Sequence, residues 1–249
     1  MKLTSHFIAN QVELVDSAAA GAVVAIEKAW SSRRDAQVVI TGGRTGLAFV
    51  QALDPLLAAA HEKYAHLKVH MWFSDERFVE LDSPDRTDTT LINGFTQSQE
   101  FIVFHRVQTP TQTNLASATN SLQAELAATL QEEFAGKISP LNFDLVILSM
   151  GEDGHVASCF PGDTSLLNST EFAAAISNSP KPPAERVTIT LHRLGKSEIT
   201  FIFALGEGKK EALAATLAGS AVMPIELLRQ NSPIGEIIIL TDIDSPGTI

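Results

Sequence analysis

The chain has 249 residues, 45% of them hydrophobic, which suits one large domain or two small ones around a well-buried core and excludes wholesale disorder. Its formal charge of -11, from 18 basic and 29 acidic residues, argues against nucleic acid as a partner, because binding a phosphate backbone needs a basic face. The single cysteine, Cys159, permits neither an intrachain disulfide nor a cysteine-based zinc site, and fits a reducing cytoplasm.

The opening MKLTSHFIANQVELV has no basic segment leading into an apolar one, so no signal peptide is expected. Residues 10–30 read as an alanine-rich helix, and their apolar run AAAGAVVAI (18–26) is too short to span a bilayer. QVVIT (37–41) is a short β-branched strand, followed directly by GGRTG and a helical TGLAFVQALDPLLAAAH. VHMWF (69–73) is the next strand, and SDERFVELDSPDRTDTT (74–90) reads as a long polar loop. FIVFHRV (101–107) is a strand. In 113–135, Leu122, Leu126, Leu130 and Phe134 recur every four residues and predict one helix face. FDLVILSM (143–150) is an almost continuous apolar run, as expected of a strand covered on both faces. AAAIS (173–177), RVTITL (186–191), ITFIFAL (199–205) and EIIILTD (236–242) complete the strands, and GEGKKEALAATLAG (206–219) is a turn entering a helix.

Strands alternating with helices predict a single α/β unit over 1–249, a mostly parallel sheet with helices on both faces. Ligands of such sheets bind beyond the carboxyl ends of the strands. The polar sequences TGGR, SDER, GEDGH and GEGKK all follow strands, so one composite site is expected.

In TGGRTG, Gly42 and Gly43 would let backbone N–H groups approach an anion at a helix start, with Arg44 beside them and Thr45 as a cap or phosphate donor. An ordinary strand-to-helix turn explains the glycines equally well. Asp75 and Arg77 of SDER offer a guanidinium that an acid, Asp75 or Glu76, could orient toward phosphate, against the plainer reading of a solvated charged turn. GEDGHVASCF (151–160) is the strongest signal. Gly151 and Gly154 permit tight, positive-φ backbone, Asp153 stands two residues before His155, and His155 can take and give a proton near neutral pH. Cys159, among Val156, Ala157 and Phe160, reads as a packed thiol. Of the later cations, Arg186 and Lys209 flank predicted strands and rank above Lys181 and Lys210. The remaining histidines show no metal-ligand spacing, so no metal is expected.

Together these motifs resemble the 6-phosphogluconolactonase family of the pentose phosphate pathway, in order and over nearly the whole chain. SMGEDGHVASCFPG (149–162) is similar to its Gly-x-Asp-Gly-His-x-Ala-Ser-x-Phe-Pro-Gly signature. TGGRTG, WFSDERFVELDSPDR (72–86), RVTITL and GEGKKEAL resemble its other conserved segments, although Arg44 and Thr87 depart from the common residues there. The resemblance implies a fold related to glucosamine-6-phosphate deaminase and ribose-5-phosphate isomerase. It implies 6-phospho-D-glucono-1,5-lactone as substrate, no cofactor, no nucleic acid or membrane partner, and a monomeric cytoplasmic enzyme. His155 would be general base, with Asp153 fixing its imidazole, glycine-turn N–H groups stabilising the oxyanion, and Arg77, Arg44, Lys209 and Arg186 around the phosphate. Two alternatives stand beside it. A deaminase also carries Asp-Gly-His, but follows it with a Glu-bearing segment where this chain has Ala157-Ser158-Cys159-Phe160. A non-catalytic sugar-phosphate sensor would keep the fold without needing the base. Glu152 is expected to be replaceable.

Overall fold

The computed structural model describes residues 2–32, 34–134, 137–140, 142–231 and 235–244. Along the chain the strands are β1 (Lys2–Phe7), β2 (Ala36–Ile40), β3 (Val69–Phe73), β4 (Asp75–Arg77), β5 (Ile102–His105), β6 (Gln131–Phe134), β7 (Lys137–Pro140), β8 (Phe143–Ser149), β9 (Ala173–Ile176), β10 (Arg186–Ile189), β11 (Ser197–Ala204) and β12 (Glu236–Thr241). The helices are α1 (Gln11–Ser31), α2 (Gly43–His61), α3 (Thr87–Gly94), α4 (Leu115–Thr129), α5 (Thr164–Leu167), α6 (Leu191–Leu194), α7 (Lys210–Leu217) and α8 (Pro224–Gln230). None of the described helices is long and apolar enough to cross a membrane.

Seven of the described strands form one sheet in the order β1-β12-β11-β8-β2-β3-β5, and every pairing in it is parallel. Strand β8 shows why FDLVIL is apolar at every position but Asp144. Leu145 and Ile147 pack into a core with Leu14 and Ile26 of α1 and Phe49 and Leu53 of α2. Val146 and Leu148 point the other way, into a core with Leu122 and Leu126 of α4 and Ile225 and Leu228 of α8. Both faces are covered, so alternate side chains enter different cores, and the one charged residue of the run, Asp144, is satisfied by the Gln37 N–H (2.8 Å) and the Arg34 guanidinium (2.7 Å).

Three sequence expectations change. Asp75-Glu76-Arg77 is not loop but the strand β4, antiparallel to β10, which pairs in turn with β9. Strands β9 and β10 therefore belong to a small second sheet rather than to the parallel one. The end of the 74–90 segment is also ordered differently, because Thr87 opens α3. The predicted 113–135 helix stops at Thr129, and Gln131–Phe134 pairs antiparallel with Lys137–Pro140; Ala135 lies outside the described residues. A four-residue repeat drifts about 40° per step around a helix, so Phe134 would have left the face that Leu122 and Leu126 bury.

One buried acid holds a connection together. Asp54, inside α2 and 2% exposed, accepts from the Thr96 N–H (2.8 Å) and Oγ1 (2.9 Å), the Gln97 N–H (3.0 Å), the Ser98 N–H (3.0 Å) and the Ser98 hydroxyl. Burial pushes this carboxyl up, but the hydrogen bonds from Ser98, Thr96 and Gln97 outweigh it and hold the pKa below 3.8. Asp54→Asn removes acceptor capacity and should cost about 1–3 kcal/mol in a denaturant titration at neutral pH. A depressed carboxylate contributes stability that is present above its unfolded pKa and lost as pH falls through its folded one. The gap between wild type and variant should therefore narrow in acid, and a gap independent of pH would contradict the assignment.

From the middle of the sheet the chain winds outward in two directions, β2, β3 and β5 one way and β8, β11 and β12 the other, while β1, its first strand, edges the sheet beside β12. The reversal lies between β2 and β8, where the loops leaving the two strands diverge and open a crevice. Those loops are TGG and GEDGH.

Candidate active site

The turn after β8 is built around His155. The Gly151 N–H donates to the His155 carbonyl (2.8 Å), the Gly154 N–H donates to the Gly151 carbonyl (3.0 Å), and Gly154 has a φ of 87°. The Asp153 carboxylate accepts from the His155 N–H (3.4 Å) and lies in short contact with the ring Nδ1. With Nδ1 committed to a carboxylate, Nε2 is the nitrogen left for chemistry. The ring lies 4.7 Å from that of Phe160, and its side chain is 17% exposed. Burial lowers the His155 pKa below 6.5, against the opposing pull of Asp153. Burial pushes Asp153 the other way, but its hydrogen bond from His155 and that ring's charge win, so it stays below the ordinary carboxylate value.

Gly151 does not have the positive φ expected of it. A Cβ there would lie 2.1 Å from His155 Cε1 and Nδ1 and 2.7 Å from Asp153 Oδ1, so the glycine is needed for space. The N–H groups of Gly151 and Gly154 both close the turn, so neither is free as an oxyanion donor. Cys159 is fully buried, and burial, with Asp75 nearby, pushes its thiol up to about 12, which leaves it inert as a nucleophile.

The loop between β9 and β10 brings in Lys181, which the sequence ranks below Arg186 and Lys209. The Lys181 ammonium lies 3.5 Å from each Asp153 oxygen and 3.5 Å from His155 Nδ1. Arg186 braces this loop from beneath. It is 4% exposed, and its guanidinium donates to the carbonyls of Lys181 (2.9 Å), Pro182 (3.3 Å) and Pro183 (3.1 Å). It also faces Asp75 at 3.8 Å and the Ser158 hydroxyl at 3.5 Å, while that hydroxyl donates to Asp75 (2.6 Å). Ser158 thus ties the His155 turn to β4, a contact that no motif announced. Ala157, just before it, sits at a φ of 51°, the one non-glycine described with positive φ.

On the other side stands the start of α2. Its first N–H groups lack intrahelical partners and face the crevice. Gly42 is the N-cap residue, so Thr45 does not cap the helix. A Cβ on Gly42 would meet the Thr87 hydroxyl at 2.8 Å, so only glycine lets α3 approach. Glu76 does not orient Arg77 as expected. It is fully buried and accepts from the N–H of Thr87 (3.1 Å), the Thr87 hydroxyl (2.9 Å) and the N–H of Asp88 (2.6 Å), capping α3 from another strand. Thr87 therefore has a duty the sequence left unassigned. Arg77 is oriented instead by the Asp85 carbonyl (2.7 Å).

These groups line two adjoining clefts. One, of about 340 Å³, is lined by Gly42, Gly43, Asp75, Arg77, Gly151 and His155 together with Lys181, Arg186 and Lys209. Arg44 and Thr45 open instead on a neighbouring cleft of about 740 Å³. Lys209 and Glu152 are common to both. Gly154 lies buried beneath the turn and lines neither. Burial lowers the Lys209 pKa, and no ion pair to its ammonium is present among the described residues.

A family model described as glucosamine-6-phosphate isomerases/6-phosphogluconolactonase matches residues 9–238. The chain belongs to this family. Among curated relatives, the 6-phosphogluconolactonase of Mycobacterium bovis is 31% identical over 215 residues, 83% of each chain. That of Bos taurus is 32% identical over 207 residues, 82% of this chain and 78% of the relative. The solved 6-phosphogluconolactonase of Trypanosoma brucei superposes with a TM-score of 0.77 at 23% identity, covering 96% of both chains. A solved monomeric glucosamine-6-phosphate deaminase superposes with a TM-score of 0.67 at 18% identity, covering 96% of this chain and 97% of its own. At such identities the two structures speak for the fold alone. The glucosamine-6-phosphate isomerase/6-phosphogluconolactonase architecture serves more than one reaction, so the choice of reaction has to rest on the site.

Proposed function

We propose that this family member hydrolyses 6-phospho-D-glucono-1,5-lactone to 6-phospho-D-gluconate. The observation that carries the reading is the Asp153–His155 pair at the cleft, with Nδ1 held and Nε2 left over. A lactone needs one group that can take a proton from water and return it.

In the proposed cycle, water attacks the C1 carbonyl and its proton passes to His155 Nε2. Asp153 keeps the ring in the Nδ1–H tautomer and balances the imidazolium that forms. The tetrahedral oxyanion collapses, the bond from C1 to the ring oxygen breaks, and the imidazolium gives its proton to that oxygen. The product is an open chain with a free hydroxyl and a carboxylic acid, which loses its proton to solvent and becomes the carboxylate. His155 is then neutral again, and no net charge is left on the protein.

The phosphate falls between the start of α2 and the cations around it. Gly42 and Gly43 offer backbone N–H groups, Arg44 and Thr45 stand beside them, and Lys209 and Arg77 face them across the clefts. A half-buried ammonium is costly alone; Asp242 and Glu152 attract Lys209 without an ion pair among the described residues, and a phosphate would supply a close partner. Asp75 and Arg186 act through each other and through Ser158, fixing the wall against which the ring lies. Anchoring the phosphate places C1 against His155 and turns a bimolecular encounter into a local one.

The test is a parallel assay of freshly generated lactone, at mildly acidic pH to slow spontaneous opening, and glucosamine 6-phosphate. Lactone should be consumed and no ammonia released. Ammonia release would establish the deaminase instead, and no turnover of either would leave a sensor.

A further inference from the structure

Lys181 stands on a loop that reaches the dyad from outside its own turn. Its ammonium is equidistant, at 3.5 Å, from both Asp153 oxygens and from His155 Nδ1. The loop is not free to wander, because buried Arg186 holds the carbonyls of Lys181, Pro182 and Pro183. Arg186 is itself fixed by Asp75 and Ser158, the residue three after His155. The turn and the loop are therefore bolted together through the small sheet.

We propose that Lys181 is a positioning residue for the reaction: its ammonium shares the Asp153 carboxylate with the His155 ring and keeps the imidazole in its base form. This rests on the hydrolytic reading for its consequence in turnover, but not for its effect on the ring. Asp153 draws a proton toward His155, and an ammonium at the same distance from ring and carboxylate opposes that draw. A base that does not hold its proton too tightly also returns it readily to the departing ring oxygen. The other charges facing the ring are Asp75 from β4, which favours the imidazolium, Arg186 from β10, which is spent on Asp75 and the loop carbonyls, and Lys209 and Glu152 further along the cleft. Lys181 is thus the cation nearest the ring among the described residues.

The test is an NMR titration of the His155 imidazole in wild type, Lys181→Met and Lys181→Arg, followed by kcat against pH for all three. Lys181→Met should move the His155 midpoint and the acid limb of kcat to higher pH, and Lys181→Arg should bring both back toward wild type. The arginine variant also guards against misfolding, since it keeps the charge and changes the shape. An unmoved midpoint in Lys181→Met would overturn the proposal, as would a rise in KM alone, which would make Lys181 only a substrate contact. The titration needs no substrate. A moved midpoint without lactone turnover would therefore condemn the hydrolytic reading and leave the Lys181 assignment standing.

Discussion

His155→Ala should lower kcat for lactone hydrolysis by roughly 10²–10⁴-fold, the usual contribution of a general base. The side chain sits at the cleft wall, bound to Asp153 and against Phe160, and no described hydrogen bond ties it to the sheet cores. Its removal should therefore leave the fold intact, and a thermal melt checks that. KM should change little, because in the proposed binding mode the phosphate lies with Gly42, Gly43 and the cations rather than with the imidazole. The loss falls on kcat because water activation is needed only in the transition state. A loss under about fivefold would remove His155 from the role, since a positioned base contributes far more than that.

Gly151→Ala should reach a similar end by another route. The backbone there is not left-handed, so alanine is allowed locally and only its methyl is at fault. That methyl would lie 2.1 Å from the His155 ring, deep inside van der Waals contact, and 2.7 Å from Asp153. The ring has to leave its carboxylate. A displacement of about an ångström at a reacting group costs on the order of 10²-fold, so kcat should drop at least that far. The residue that would otherwise do the chemistry is still present, which separates this variant from His155→Ala. The measurements are steady-state kinetics together with the His155 NMR resonance, which should lose the signature of its Asp153 hydrogen bond. Activity within about twofold of wild type would show that the ring tolerates the methyl and that geometry here is looser than described.

The parallel sheet was legible because its inner strands are buried on both faces. VHMWF, FDLVILS and EIIILT have no polar stripe to obscure them, and their bounds in the structure match the reading closely. Edge strand β1 escaped notice because KLTSHF is largely exposed and polar. Strand β4 escaped for the opposite reason: three charged residues read as solvent-facing, whereas Glu76 is wholly buried as a cap for α3. Local pattern cannot reveal a cap supplied by a distant segment. The same limit applies to the site. Asp153 and His155 are neighbours in sequence and could be paired by eye. The Ser158–Asp75 bond spans 83 positions and the Lys181–Asp153 contact 28, so only the folded chain brings them together.

The acid limb of the kcat profile tests the role of His155 most directly. kcat is the better quantity, because a sugar phosphate also titrates near pH 6 and would complicate kcat/KM. In the proposed cycle the active form needs a neutral imidazole, and burial favours that form by lowering the His155 pKa, so kcat should stay level through neutrality and fall in acid. Asp153→Asn removes a charge that supports the imidazolium, so it should move the limb to still lower pH while reducing the plateau. An acid limb that persists unchanged in the residual activity of His155→Ala, or one that Asp153→Asn leaves in place, would contradict the account and place the base elsewhere.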